Sequence, residues 1–100
     1  MEIDGVYEMI ADTFVGKKMS TLTLKTSGTE LSGTVLDGKR LTEFSGGTVD
    51  GNEIKFYAEI KTDIGKVKSH ISGVLDGDII TGTNKTQFGP APIVATRIKP

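Results

Sequence analysis

Polar and apolar residues alternate along most of the chain, as they do in Thr21–Lys25 and Ile54–Ile60. This period of two is typical of strands that bury one face and expose the other. Tight-turn signals separate such segments at Ser27-Gly28, Asp37-Gly38, Asp50-Gly51 and Asp76-Gly77. The pattern predicts eight strands and no helix, with strands at residues 4–12, 18–26, 30–36, 39–49, 53–61, 66–75, 78–86 and 92–99.

The predicted strands pair in a register that keeps apolar residues on one face. If Thr62–Gly65 forms a hairpin loop, Ala58 lies opposite Ser69, and a slip of one residue mixes the two faces. If Asp76-Gly77 forms a two-residue turn, Ser69 lies opposite Asn84. The same inner face then continues across three neighbouring strands.

Eight antiparallel strands in sequence order predict an all-β, up-and-down meander barrel. Closure leaves no unpaired sheet edge, and a two-sheet β-sandwich is the structural alternative. The length of 100 residues indicates a single domain over residues 1–100. The interior of such a barrel is either filled by side chains or holds one small ligand.

A repeat of an apolar residue, a hydroxyl residue and glycine runs through the predicted strands. It occurs at Leu31-Ser32-Gly33, Phe44-Ser45-Gly46, Ile71-Ser72-Gly73 and Ile80-Thr81-Gly82. Glycine inside a strand is typical of a bulge, a bend or a close approach of two backbones. The adjacent pair Gly46-Gly47 predicts a bulge.

Composition and charge narrow the classes of function. The net charge is −1 with acidic and basic residues interspersed, which argues against a nucleic-acid-binding surface. The chain has no cysteine, and its one histidine, His70, falls on the outer face. No catalytic centre, metal site or cofactor is therefore predicted. The sequence has neither a membrane-length apolar run nor a recognisable signal peptide, so we expect a cytoplasmic protein, with its oligomeric state left open.

Three segments share the pattern Thr-x-apolar-Gly, and a meander brings all three to the same end of the barrel. They are Thr13–Gly16, Thr62–Gly65 and Thr86–Gly89. The apolar side chains that they carry are those of Phe14, Val15, Ile64 and Phe88. Because exposed apolar loops are costly unless something covers them, these side chains either plug a filled core, cover a small cavity or dock on a partner.

Ser69 and Asn84 form an inward polar row below these loops. A buried amide must be hydrogen-bonded, because leaving it unpaired costs about 1–3 kcal/mol. The two side chains either satisfy each other or orient the polar group of a ligand in an otherwise apolar pocket.

Gly5-Val6-Tyr7 near the start of the chain and Arg97 near its end resemble the pattern of the calycins. That group includes lipocalins, fatty-acid-binding proteins and avidin-like proteins, in which a Gly-x-Trp on the first strand packs near a basic residue on the last. Tyr7 stands here in place of Trp. The resemblance implies that Arg97 lies near Tyr7. If Ala95 and Arg97 face inward, Arg97 either closes the barrel or binds an anionic ligand. If Val94, Thr96 and Ile98 face inward instead, Arg97 is merely exposed. Nearly the whole chain is also similar to a class of small bacterial β domains, which implies a fold more than a function.

These features predict a non-enzymatic binding module for a small apolar or amphipathic molecule at the open barrel end. The ligand-binding residues predicted are Tyr7, Phe14, Val15, Ile64, Ser69, Asn84, Phe88 and Arg97. The alternative is an accessory domain that docks on a larger enzyme through the same loops. A cyclase or isomerase that mainly shapes its substrate is a weaker alternative, because the sequence offers no inward acid–base pair.

Overall fold

The computed structural model describes residues 2–100 and contains eight strands joined by short turns. Their bounds are β1 (Gly5–Thr13), β2 (Gly16–Ser27), β3 (Glu30–Asp37), β4 (Arg40–Asp50), β5 (Glu53–Thr62), β6 (Gly65–Asp76), β7 (Ile79–Thr86) and β8 (Gly89–Lys99). The largest departure from the predicted bounds is in β8, which begins at Gly89 instead of residue 92. Gly89 and Pro90 extend the ladder by pairing with Thr86 and Lys85.

Each strand pairs antiparallel with the next one in sequence, and β1 also pairs with β8. The sheet is therefore a closed up-and-down barrel, as predicted, and not a two-sheet sandwich. Turns after odd-numbered strands lie at one end of such a meander, and turns after even-numbered strands lie at the other.

The predicted register is confirmed between β5 and β6, where Ala58 lies opposite Ser69. Between β6 and β7 the prediction is wrong by two residues, because Asn84 lies opposite Ile71 and not opposite Ser69. The turn is centred on Gly77-Asp78, and Gly77 has a φ of +64°. The first central position of a type II′ turn has a positive φ and therefore favours glycine. Since the offset is an even number of residues, the inward and outward faces remain those that were predicted.

The glycines of the apolar–hydroxyl–Gly repeat stand where the barrel leaves no room for a side chain. A Cβ on Gly33 would lie 1.9 Å from the Thr23 carbonyl oxygen, and a Cβ on Gly82 would lie 1.9 Å from the Ser72 carbonyl oxygen. Gly46 serves differently, because its φ of +74° accompanies the predicted bulge, where the β3–β4 register shifts. The repeat thus marks places where strands bend or approach closely.

The end of the barrel opposite the Thr-x-apolar-Gly turns is closed by the N-terminal segment and two side chains. Tyr7 is fully buried and its hydroxyl donates to the Ile3 carbonyl oxygen at 2.8 Å. Arg97 donates to the same hydroxyl from Nη2 at 2.7 Å, and its guanidinium carbon lies 5.3 Å from the centre of the Tyr7 ring. Arg97 also pairs with Asp78 at 3.0 Å and contacts the Glu2 carbonyl oxygen.

One pair of neighbouring strands, β4 and β5, is joined by a shorter ladder than the other pairs. The β4–β5 ladder has only three paired positions among the residues described, from Thr48↔Lys55 to Asp50↔Glu53. Beyond the bulge, the Thr42 hydroxyl accepts the N–H of Lys61 at 2.9 Å. The rings of Phe44 on β4 and Phe56 on β5 stack with their centres 4.0 Å apart beside this short ladder. Side chains therefore replace part of the missing backbone ladder.

The N-terminal segment is fastened to β2 by Asp4. Its Oδ1 accepts the Thr26 N–H at 2.9 Å and the Thr26 hydroxyl at 2.6 Å. The hydrogen bond from the Thr26 side chain lowers the pKa of Asp4 below its ordinary value of 3.8. A carboxylate with a lowered folded-state pKa stabilises the fold above its unfolded pKa, and this contribution is lost as the pH falls through the folded value.

We therefore expect Asp4→Ala to destabilise the barrel by about 1 kcal/mol at pH 7. The difference from the wild type should shrink as the pH falls below about 4. Thermal unfolding at pH 7 and at pH 3 measures this difference, with Asp12→Ala at an exposed position as the control. A deficit of equal size at both pH values would contradict a role for the ionised carboxylate.

Candidate functional site

The three Thr-x-apolar-Gly segments form the same turn. In each, the threonine hydroxyl donates to the glycine carbonyl oxygen, at 2.6, 2.8 and 2.9 Å along the chain. It also accepts the N–H of the apolar residue, at 3.3, 3.2 and 3.0 Å. The three glycines have φ values of +104°, +103° and +104°, which favour glycine over any other residue. Backbone geometry thus accounts for the threonine and the glycine, but it does not account for the apolar residue between them.

The apolar residues of these turns form a rim around one end of the barrel, made of Phe14, Val15, Ile64 and Phe88. Phe14 is 69% exposed, Ile64 is 59% exposed and Phe88 is 50% exposed. The rings of Phe14 and Phe88 lie with their centres 5.4 Å apart, because β1 and β8 are neighbours in the closed sheet. The fourth turn at this end, Gly38-Lys39, carries no apolar side chain. The rim is therefore an apolar surface, interrupted at one side, around an opening.

A cavity of about 150 Å³ opens inside this rim. Its deeper walls are inward side chains, chiefly those of Met9, Ala11, Ile60, Val67 and Ala91. Charged groups stand near the mouth at Lys18, Asp37 and Asp63. Beyond the cavity, the buried side chains of the barrel pack into one continuous apolar cluster that extends to Tyr7 and Ile3. The barrel is therefore filled toward its Tyr7 end and hollow under the rim.

Two buried polar side chains lie in the cavity wall. Ser69 is fully buried and Asn84 is 7% exposed. Asn84 Nδ2 donates to Ser69 Oγ at 3.2 Å, so the two side chains are in contact although they are not directly opposite in the ladder. Asn84 Oδ1 is buried and has no hydrogen-bond partner within residues 2–100. The pair thus satisfies itself only in part.

The structure brings together six of the eight residues predicted to bind a ligand. The six that line the cavity are Phe14, Val15, Ile64, Ser69, Asn84 and Phe88. Tyr7 and Arg97 are not part of its lining and instead close the opposite end of the barrel. Their contact agrees with the packing that the calycin resemblance implied. Tyr7 lies six residues before Thr13, which is about 20 Å along a strand. This spacing already indicates in the sequence that Tyr7 lies at the end of the barrel away from the Thr-x-apolar-Gly turns.

The sequence-based prediction missed several wall residues, among them Ala11, Ala91 and Met19. A signal for two of them was present, because Ala11 and Ala91 are small residues at inward positions near the rim. Small inward side chains on the neighbouring strands β1 and β8 leave space that larger ones would fill. An inward alanine close to an apolar turn is therefore informative about where a meander barrel is hollow.

The single histidine of the chain lies on the outer face. His70 is exposed and stacks at 44° against Tyr57, with ring centres 4.6 Å apart, at the outward position that the register predicted. Residues 2–100 contain no cluster of three or more histidine or carboxylate side chains able to hold a metal ion. Within the same range, no helix is long and apolar enough to cross a membrane.

Comparison of the chain with known protein families, with curated proteins and with solved structures finds no significant match. The closed antiparallel barrel is compatible with a calycin-like fold, whereas membership of the calycins and a bacterial origin stay predictions. Function is therefore inferred from the geometry of the rim and cavity.

Proposed function

We propose that this barrel is a non-enzymatic binding protein for a small, compact, apolar or amphipathic molecule. The observation that carries the proposal is the 150 Å³ cavity under an apolar rim, beyond which the buried side chains form one continuous apolar cluster. Ligand sites in proteins are typically concave and apolar, with a few converging polar groups. The rim and the Ser69–Asn84 pair supply these two elements.

The size of the cavity limits the buried part of the ligand. An engineered apolar cavity of about 150 Å³ holds one benzene molecule, so a single six-membered ring fits here, and larger groups must extend past the rim. Seven non-hydrogen atoms at about −0.7 kcal/mol each give a Kd of about 0.3 mM. We expect toluene to bind with an affinity of that order.

We expect Ala11→Leu to weaken toluene binding at least about tenfold. The added carbon atoms project into the cavity, and overlap with the ring removes the space that the ligand needs. The thermal stability should be equal to or above that of the wild type, because filling an apolar void adds packing contacts. Chemical-shift titration of the methyl groups of Ile60 and Val67 measures the affinity, since both residues line the cavity.

A matched control is Val94→Leu, which enlarges an exposed side chain on β8. It should leave both toluene affinity and stability unchanged. Equal loss of binding in the two variants, or wild-type binding in Ala11→Leu, would reject the cavity as the binding site.

The rim also supports a second candidate function, docking on a larger enzyme. The supporting observation is that four apolar side chains are about half exposed or more at one end of the barrel. Replacing Phe14 and Phe88 by serine tests this function, because it should abolish association with a partner. Ala11→Leu alters the cavity interior and should leave such association intact. A cyclase or isomerase would need a carboxylate that turns inward. Glu43, near the Gly46 bulge, instead lies exposed on the outer face.

A further inference from the structure

The unpartnered oxygen of Asn84 carries information about the polar group of the ligand. We propose that the molecule bound in the cavity carries a neutral O–H or N–H group that donates a hydrogen bond to Asn84 Oδ1. The proposal rests on the function proposed above and narrows the ligand class to ring-sized hydrogen-bond donors of the phenol or aromatic amine type.

The orientation of the Asn84 amide agrees with the proton inventory of its neighbour. The Ser69 hydroxyl has one proton, and it donates that proton to the Val67 carbonyl oxygen at 3.2 Å. Ser69 Oγ can then only accept, and the group that donates to it is Asn84 Nδ2. The amide oxygen is therefore the atom left free, and an amide oxygen accepts hydrogen bonds.

A buried acceptor without a partner disfavours the folded state by about 1–3 kcal/mol, so a ligand that satisfies it gains affinity. Only a ligand with a hydrogen-bond donor gains this affinity. An ether or carboxylate oxygen would instead place its lone pair against a lone pair of Asn84 Oδ1. Lys18, the cationic residue near the mouth, is exposed. Among the side chains described in the lining, no buried cation is present to neutralise an anionic ligand. A neutral donor thus fits better than an acid.

The position of Asn84 also sets which end of the ligand enters first. Asn84 and Ser69 each lie two residues further from the rim turns than Thr86 and Val67, which is about 6–7 Å deeper along a strand. The donor group therefore lies in the deeper part of the cavity, below the rim turns. The apolar part points outward, toward the aromatic pair of Phe14 and Phe88.

The test compares three probes of similar size on the intact chain. Phenol donates and accepts, anisole only accepts, and toluene does neither. Each Kd is measured by chemical-shift titration with the wild type, with Asn84→Leu and with Thr83→Leu. The last is a polar-to-leucine control on the neighbouring, outward-facing position of β7. Comparing the phenol-to-toluene affinity ratio between variants cancels the different costs of removing the two probes from water.

We expect Asn84→Leu to lower the phenol-to-toluene affinity ratio about tenfold relative to the wild type. The anisole-to-toluene ratio should stay constant within about twofold, and Thr83→Leu should change neither ratio. If Asn84→Leu does not fold, the wild type still decides, because phenol should shift the side-chain amide signal of Asn84 further than toluene or anisole does.

Two results would overturn the inference while leaving the binding function in place. One is an unchanged phenol-to-toluene ratio in Asn84→Leu. The other is anisole preferred over toluene as strongly as phenol is, which means that the amide presents its N–H₂ group to the ligand. Binding of none of the three probes overturns the proposed cavity function and this inference together.

Discussion

Gly82→Ala is expected to lower the free energy of unfolding by about 3 kcal/mol or more. The added Cβ would lie 1.9 Å from the Ser72 carbonyl oxygen and 2.6 Å from the Gly73 Cα. Both are backbone atoms, so no side chain can rotate away, and β6 and β7 must separate where Gly73 pairs with Gly82. A single domain of this size has only about 5–15 kcal/mol of stability, so this loss is a large fraction of the total.

The thermal midpoint should fall by more than about 12 °C, since 1 kcal/mol corresponds to about 4–8 °C in domains of this size. Thr81→Ala is the matched control, because Thr81 is the preceding residue on β7 and its side chain is exposed. It should change the stability by less than about 1 kcal/mol. A midpoint for Gly82→Ala within a few degrees of the wild type would show that β6 and β7 do not approach as closely as described.

Tyr7→Ala is expected to destabilise the barrel by about 4 kcal/mol. The ring is fully buried in the core cluster at the closed end, and its hydroxyl joins Ile3 to Arg97. Truncation removes the packing of the ring and leaves a buried carbonyl oxygen and a guanidinium without their shared partner. Urea denaturation followed by far-ultraviolet circular dichroism measures the loss.

Tyr7→Phe separates the packing of the ring from its hydrogen bonds. It keeps the ring and removes only the hydroxyl, so we expect a loss of about 1–2 kcal/mol. Because Tyr7 lies at the end of the barrel away from the cavity, Tyr7→Phe should also bind toluene and phenol within about twofold of the wild type. A large loss of affinity would restore the prediction that Tyr7 contacts the ligand. A stability loss as large as that of Tyr7→Ala would show that the hydrogen bonds, and not the ring, close the barrel.

The two ends of the barrel therefore have separate tasks. At one end, Tyr7, Arg97 and the N-terminal segment satisfy one another, which leaves that end closed. At the other end, the Thr-x-apolar-Gly turns hold apolar side chains out to solvent around a cavity. Substitutions in the rim or the cavity wall should therefore leave the closed end intact, and Tyr7→Phe should leave the cavity intact.

The sequence alone determined the strands, their order and the face on which each residue lies. These properties follow from local causes, namely a period-two pattern and glycine-containing turns, and each needs only a few neighbouring residues. The same local patterns predict that Phe14, Ile64 and Phe88 lie at one end of the barrel. They failed at the β6–β7 turn, because Asp-Gly permits two turn positions that preserve the inward and outward faces equally well.

The tertiary structure decided which parts of the barrel are filled, which backbones touch and which polar atom is left over. The sequence could place Ser69 and Asn84 on the inner face, but the free Asn84 Oδ1 depends on a two-residue register shift and on the direction of one hydroxyl proton. The cavity depends on how Ala11 and Ala91 pack among larger residues from other strands. These outcomes depend on differences of an ångström or less in the spacing of segments that are far apart in the chain. The alternation of polar and apolar residues does not encode such differences.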